Sequence, residues 1–178
     1  MSAVELTLLC HGWTEAQRVG RFHRADDPLS RRPPARVWPP GLQCLVAPER
    51  RARDTAQALG IHASVEPALR DCELGQWHGL TLKHLQSHAT ADLQTWLDDP
   101  HAAPHGGESL AQLHERVGHW LAQGLVPGQW LAVTHPWVMR MALQHVVGGS
   151  LAGAHRIDVL PLGELRLSGY GGWRLRVG

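Results

Sequence analysis

The chain has 178 residues, 43% of them hydrophobic, and a formal net charge of +1 with its histidines neutral. That length suits one α/β domain with at most a small cap, and the near-neutral balance gives no bulk attraction to nucleic acid or to an anionic membrane. Three scattered cysteines without a CxxC pair argue against a disulfide framework and against a zinc site of standard spacing.

The start, MSAVELTLLC, lacks the basic head and apolar run of a secretory signal, and no segment has the uninterrupted apolar length of a membrane span. The expected location is therefore cytoplasmic, with reduced thiols. Residues 4–10 alternate and are rich in branched side chains, which predicts a strand ending at His11-Gly12. Residues 14–21 allow a short helix or a loop. Prolines 28, 33, 34, 39 and 40 forbid a long helix over 26–41. A short buried strand over 42–47 leads to a helix over 49–59 with Gly60 at its end, and then to a strand over 61–65. Residues 69–80 look irregular, and residues 81–97 support one or two helices. A Pro- and Gly-containing loop over 101–107 precedes a helix whose Leu110, Leu113, Val117, Trp120 and Leu121 recur at helical spacing. Residues 130–134 form a compact apolar strand, and His135 follows at once. A helix over 137–147 stops at Gly148-Gly149. Strands are expected over 156–160, 164–167 and 173–177. Strands alternating with helices predict a single domain over 1–178, an α/β fold built as a three-layer α/β/α sandwich on a mainly parallel central sheet.

In open α/β sheets, chemistry gathers beyond the carboxyl ends of the strands. His11 and His135 both lie there. The chain has thirteen histidines, so position alone does not separate a catalytic pair from two ordinary loop residues. Arg51 opens a helix just after a strand, where free N–H groups and a guanidinium together suit a phosphate, although a solvated basic helix start reads the same way. Asp71 and Glu73 lie in the irregular segment, able to supply an acid or merely to cap a turn.

Taken in order, His11-Gly12, Arg51-Ala52-x-x-Thr55-Ala56, Leu69-x-Asp71-x-x-x-Gly75-x-Trp77-x-Gly79-Leu80, Gly106-Gly107-Glu108-Ser109 and Val133-Thr134-His135 resemble the histidine phosphatase (phosphoglycerate mutase-like) superfamily. Each motif is weak alone, but five in order span nearly the whole chain. The resemblance implies a phosphomonoesterase on a phosphoglycerate mutase-like fold, acting on a small organic phosphate without metal or other cofactor. It implies that His11 becomes a phosphohistidine, that Arg51 and His135 hold phosphate oxygens, and that Asp71 is the general acid. Arg21 falls where the family often has an arginine near the substrate. The partner would be a small-molecule phosphate ester, not nucleic acid or membrane, and a homodimer is compatible with the sequence.

Three departures stand out. The family's Arg-His-Gly begins here with Cys10, which removes a fixed charge; losing such a charge-assisted hydrogen bond costs a few kcal/mol, about a hundredfold in rate. Arg18 and Arg21 are the candidate substitutes, and a pseudoenzyme with little turnover is the alternative. Pro136 replaces a usual glycine in a place that suits the first turn of a helix. The usual helix around 30–41 is missing, which predicts a local rearrangement beside the site. A mutase-type phosphotransferase is a further alternative, opposed by the short stretch between Asp71 and Gly106. Trp13, Trp77 and Trp137 lie in or beside the motifs, so they form either an aromatic wall of the substrate pocket or ordinary core. The pairs His84/His88 and His101/His105 lack a third ligand, and no metal site is expected.

Overall fold

A computed structural model describes residues 3–178. Six strands form one sheet in the order β3-β2-β4-β1-β5-β6. They are β1 (Val4–Cys10), β2 (Gln43–Val46), β3 (Ser64–Val65), β4 (Gly128–Thr134), β5 (Glu164–Gly169) and β6 (Trp173–Arg176). The first four strands in that order run parallel, and β5 runs antiparallel to both of its neighbours, β1 and β6. Leu6, Leu8, Leu9, Leu131, Ala132 and Val133 are buried at the centre, as expected of strands covered on both faces.

Among the described residues, six α-helices surround the sheet: α1 (Glu15–Val19), α2 (Arg50–Ala58), α3 (Leu82–His88), α4 (Thr90–Asp98), α5 (Leu110–Gln123) and α6 (Pro136–Val147). Helix α2 packs on β2 and β4, α6 on β1 and β6, and α5 on α6. The predicted stripe on α5 is the buried one. Ser109 caps this helix reciprocally with Gln112, and Thr14 caps α1 in the same way with Gln17. Pro136 occupies the first turn of α6 without disrupting it. Residues 26–41 hold no helix. Their first part adjoins the histidines described below, and Trp38 turns back to donate its indole N–H to the Leu59 carbonyl.

Two sequence expectations need correction. The strand over 61–65 shrinks to Ser64–Val65, because only Leu45 and Val46 offer it an edge. The strand over 156–160 does not form. Its burial alternates, but β5 already occupies the free edge of β1, so the segment enters from a 3-10 turn over Leu151–Arg156 and runs unpaired to β5. Among the described residues no helix is long and apolar enough to cross a membrane.

Candidate active site

Sheet register, not sequence proximity, assembles the site. Cys10 pairs with Thr134, and Val46 pairs with Val133, so β1, β4 and β2 end side by side. The residues that leave those ends are His11, His135 and the Glu49–Arg51 turn. His11 and His135 are both fully buried, with ring centroids 5.3 Å apart. Gly12 donates its N–H to the Thr55 hydroxyl at 2.9 Å, and that hydroxyl donates to the Arg51 carbonyl at 2.7 Å. Thr55 thus ties the His11-Gly12 turn to α2.

The His11 ring is oriented by its neighbour. Nδ1 lies 2.8 Å from the Gly12 carbonyl oxygen. A carbonyl only accepts, so Nδ1 carries the proton and the Nε2 lone pair is free. That Nε2 is buried and has no partner among the described residues, and the same holds for His135 Nδ1 and Arg51 Nε. Three buried polar atoms left open on neighbouring side chains are costly unless a ligand completes them. Burial, reinforced by His135 and Arg51, holds His11 well below the ordinary histidine range, so it stays neutral.

Glu49 and Asp71 frame the opposite side. Glu49 Oε2 accepts from His135 Nε2 at 2.6 Å, and Glu49 Oε1 accepts from the Asp71 amide at 3.0 Å. One carboxylate therefore fixes both the ring that presents Nδ1 and the backbone that carries Asp71. Arg51 is buried and donates Nη2 to Asp71 Oδ2 at 2.5 Å and Nη1 to the Arg24 carbonyl at 3.0 Å. Asp71 Oδ2 also lies 3.7 Å from His135 Nδ1. Burial pushes the Asp71 carboxyl up, but His135, Arg51 and His23 outweigh it and hold the group well below the usual carboxylate range. It is a carboxylate ion-paired to Arg51.

The other candidates separate. Arg18 is exposed and bound to Glu15, and Arg21 is committed to Asp27 at 3.0 Å, so neither guanidinium is free to replace the missing arginine. Cys10 is buried, and desolvation followed by the Asp71 charge pushes its thiol up to about 12, which leaves it a neutral core residue. The aromatic wall also needs correction for Trp77. That ring is buried against Phe22, Trp96 and His105, where the large apolar surface is worth most to the core. Trp137 is half-buried against Trp96 and His155, with the Arg140 guanidinium 4.4 Å from its ring centre. Trp13, also half-buried, lies under Arg31 at 3.6 Å.

The Gly-Gly-Glu-Ser motif is a support. Glu108 donates its amide to the Glu73 carbonyl at 2.6 Å and binds the Arg116 guanidinium through both carboxylate oxygens, while Ser109 caps α5. Arg116 in turn donates to the carbonyls of Ala68, Arg70 and Asp71. This bracket holds the Asp71 segment from behind.

Two residues of the site escaped the sequence reading. Glu49 precedes the basic helix start and has no motif of its own. His23 lies between two short segments, with its ring 5.3 Å from the His11 ring and nearly perpendicular to it. The only sequence signal for either is proximity to residues already singled out.

The chain matches the model of the histidine phosphatase superfamily (branch 1) over residues 6–177, and it belongs to that superfamily. A glucosyl-3-phosphoglycerate phosphatase of Mycobacterium tuberculosis is 34% identical over 109 residues, covering 58% of this chain and 46% of the relative. The counterpart from Mycolicibacterium vanbaalenii is 41% identical over 71 residues, covering 38% of this chain and 32% of the relative. The alignments thus span less than half the length of these curated relatives. Among solved structures, mycobacterial glucosyl-3-phosphoglycerate phosphatase in complex with VO3 superposes with a TM-score of 0.80 at 25% identity, over 97% of each chain. A phosphoserine phosphatase from Entamoeba histolytica shares the fold, with a TM-score of 0.80 at 16% identity over 98% of this chain and 95% of its own.

Proposed function

We propose that this chain is a phosphomonoesterase that hydrolyses a small organic phosphate through a phosphohistidine on His11. The observation that carries the reading is the buried, unpartnered Nε2 of a His11 ring whose tautomer the Gly12 carbonyl fixes. A neutral imidazole with its lone pair exposed to an anion site is a competent nucleophile at neutral pH.

The arrangement supports the following reaction. His11 Nε2 attacks phosphorus in line with the ester oxygen, the N–P bond forms and the P–O bond breaks. Arg51 and His135 face the phosphoryl oxygens, where charge accumulates in the transition state. Asp71 gives its proton to the leaving oxygen. It then takes a proton from the water that cleaves the phosphohistidine, which restores both groups. The free carboxyl is ionised, so it must gain a proton before the first step. A phosphate dianion supplies the cause: it draws Arg51 from Asp71 and places negative charge beside the carboxylate, and both changes raise its pKa.

The stretch between Asp71 and Gly106 holds one 3-10 turn, Gly75–Trp77, and the short helices α3 and α4, of 7 and 9 residues, which favours hydrolysis over the mutase-type alternative. The rival with a specific observation behind it is a phosphate-binding protein without turnover, because Cys10 leaves the site one fixed charge short. Hydrolysis of p-nitrophenyl phosphate by wild type and His11→Ala separates them. The expected result is turnover by wild type and a loss on the order of a thousandfold or more in the variant, with an acid-labile phosphoryl label trapped on His11. Wild-type binding of phosphate without turnover or label overturns the phosphatase reading. Glucosyl-3-phosphoglycerate, named for the mycobacterial relatives, is the first natural ester to assay.

A further inference from the structure

We propose that His23 replaces the charge lost at Cys10, binding the phosphoryl group as an imidazolium that forms only when the anion arrives. The inference rests on the phosphatase reading above and concerns a residue no motif assigns.

The first support is placement. The His23 ring lies 5.3 Å from the His11 ring at 79°. Its backbone is held by flanking pairings: Phe22 N–H donates to Leu80 O, Gly79 N–H donates to Phe22 O, and Arg21 bridges to Thr81. The His78 ring lies 2.6 Å from the His23 carbonyl oxygen through Nδ1, which must therefore carry a proton. The backbone that carries the ring is thus fixed beside the nucleophile.

The second support is that the surrounding network has a place for the extra proton. His23 Nε2 lies 2.8 Å from the Thr14 hydroxyl. That hydroxyl accepts from the Gln17 amide at 3.2 Å and reaches Gln17 Oε1 at 3.3 Å. Thr14 can therefore accept from both the Gln17 amide and a protonated Nε2, while its own proton goes to Gln17 Oε1. An imidazolium at His23 leaves no donor stranded, and its Nδ1–H, which has no partner among the described residues, is available to a phosphate oxygen.

The third support is charge. Arg51, His135 and His11 face His23 from α2, the end of β4 and the end of β1, and Asp71 and Asp27 face it from two loops. Burial, then Arg51, pushes the free His23 down to about 4, although Asp71 and Asp27 oppose this. The site is therefore empty of that charge before the ligand enters. Protonation near neutral pH needs the imidazolium favoured by roughly 300-fold, and a dianion in hydrogen-bond contact within a desolvated site acts in that direction. His23 is the only one of the three site histidines whose second nitrogen is already satisfied by a hydroxyl, which can accept as well as donate.

The test uses tungstate, a tetrahedral dianion whose own protonation lies well below neutral. Calorimetric titration between pH 6.5 and 8, in buffers of different protonation enthalpy, gives affinity and proton uptake together. Wild type should bind more tightly as pH falls and take up protons. His23→Gln keeps a polar reach to Thr14 but cannot ionise. It should bind about tenfold more weakly at pH 6.5, with a flatter pH profile and an uptake lower by about half a proton or more. His23→Arg carries a fixed cation, and it should bind with little pH dependence and the same reduced uptake. Unchanged affinity and uptake in both variants, at unchanged Tm, overturn the role of His23. If wild type turns over p-nitrophenyl phosphate and is labelled on His11 while the variants bind like wild type, only this inference falls. If wild type neither binds tungstate nor is labelled, the phosphatase reading falls and takes this one with it.

Discussion

Glu49 shows how one side chain can set the geometry of two others without facing the ligand. Its two carboxylate oxygens serve separate donors, the His135 ring and the Asp71 amide. Burial pushes its pKa up most, but the hydrogen bond to His135 and the attraction of that ring together outweigh burial and the Asp71 charge, so its pKa falls below the usual carboxylate value and it stays ionised. Removing it leaves a buried ring N–H and a buried amide without acceptors, a cost of about 1–3 kcal/mol for each group. Glu49→Ala should therefore lower kcat/KM by about 30- to 100-fold, mostly through kcat, because His135 and Asp71 lose their alignment. Glu49→Gln keeps one carbonyl acceptor and should lose less. Steady-state kinetics on p-nitrophenyl phosphate with a parallel Tm measurement check both; an Ala variant with wild-type kcat would show that the two residues are held by other contacts.

At the scale of elements, the two glycines of the Gly-Gly-Glu-Ser motif are required for different reasons. A Cβ on Gly107 would lie 2.0 Å from the Glu73 carbonyl oxygen and 2.9 Å from the Gly75 amide, so the two loops approach too closely for any side chain. Gly106 has open space around it but sits at φ 78, where only glycine is unstrained. Gly107→Ala should cost about 2–4 kcal/mol, since backbone must move, and Gly106→Ala about 1 kcal/mol. Denaturant midpoints at unchanged m-value measure the two; equal losses would show that the contact at Gly107 yields without strain. These elements also explain what the sequence discloses. β1, β4 and α5 are legible because alternation and helical spacing report burial directly. His11, Arg51 and His135 are legible because each leaves a strand end or opens a helix. The ion pairs of Arg18 and Arg21 are not legible, because the direction of a side chain on a short helix or loop depends on which acid pairs with it, here Glu15 and Asp27. His23 and Glu49 act through contacts across 9 to 86 residues of chain, and no local pattern encodes those.

For the molecule as a whole, collecting histidines at one end of the sheet sets how stability responds to pH. In the unfolded chain each histidine titrates near 6.5. In the fold, burial holds His11 well below that range, and burial with Arg51 holds His23 at about 4. Below pH ~6.5 the unfolded state therefore binds more protons than the folded one. The stability these two neutral histidines contribute is fully present above pH ~6.5 and is lost as pH falls toward their folded values. The loss from His23 alone approaches roughly 3 kcal/mol by pH 4. Asp71 adds no slope between pH 7 and pH 5: its carboxyl is held below the usual carboxylate range, so its stabilisation is fully present there and is lost only as pH falls below the unfolded value of ~3.9. Wild-type Tm should therefore drop between pH 7 and pH 5, and His23→Gln, which removes one titrating group, should drop by less over the same interval. Tungstate should reduce the wild-type drop, because anion binding stabilises the folded state and favours the protonated ring. Scanning calorimetry at pH 7, 6 and 5, with and without tungstate, measures all three effects. Equal drops in wild type and His23→Gln would show that the ring titrates alike in the folded and unfolded chains, and that burial does not hold it neutral.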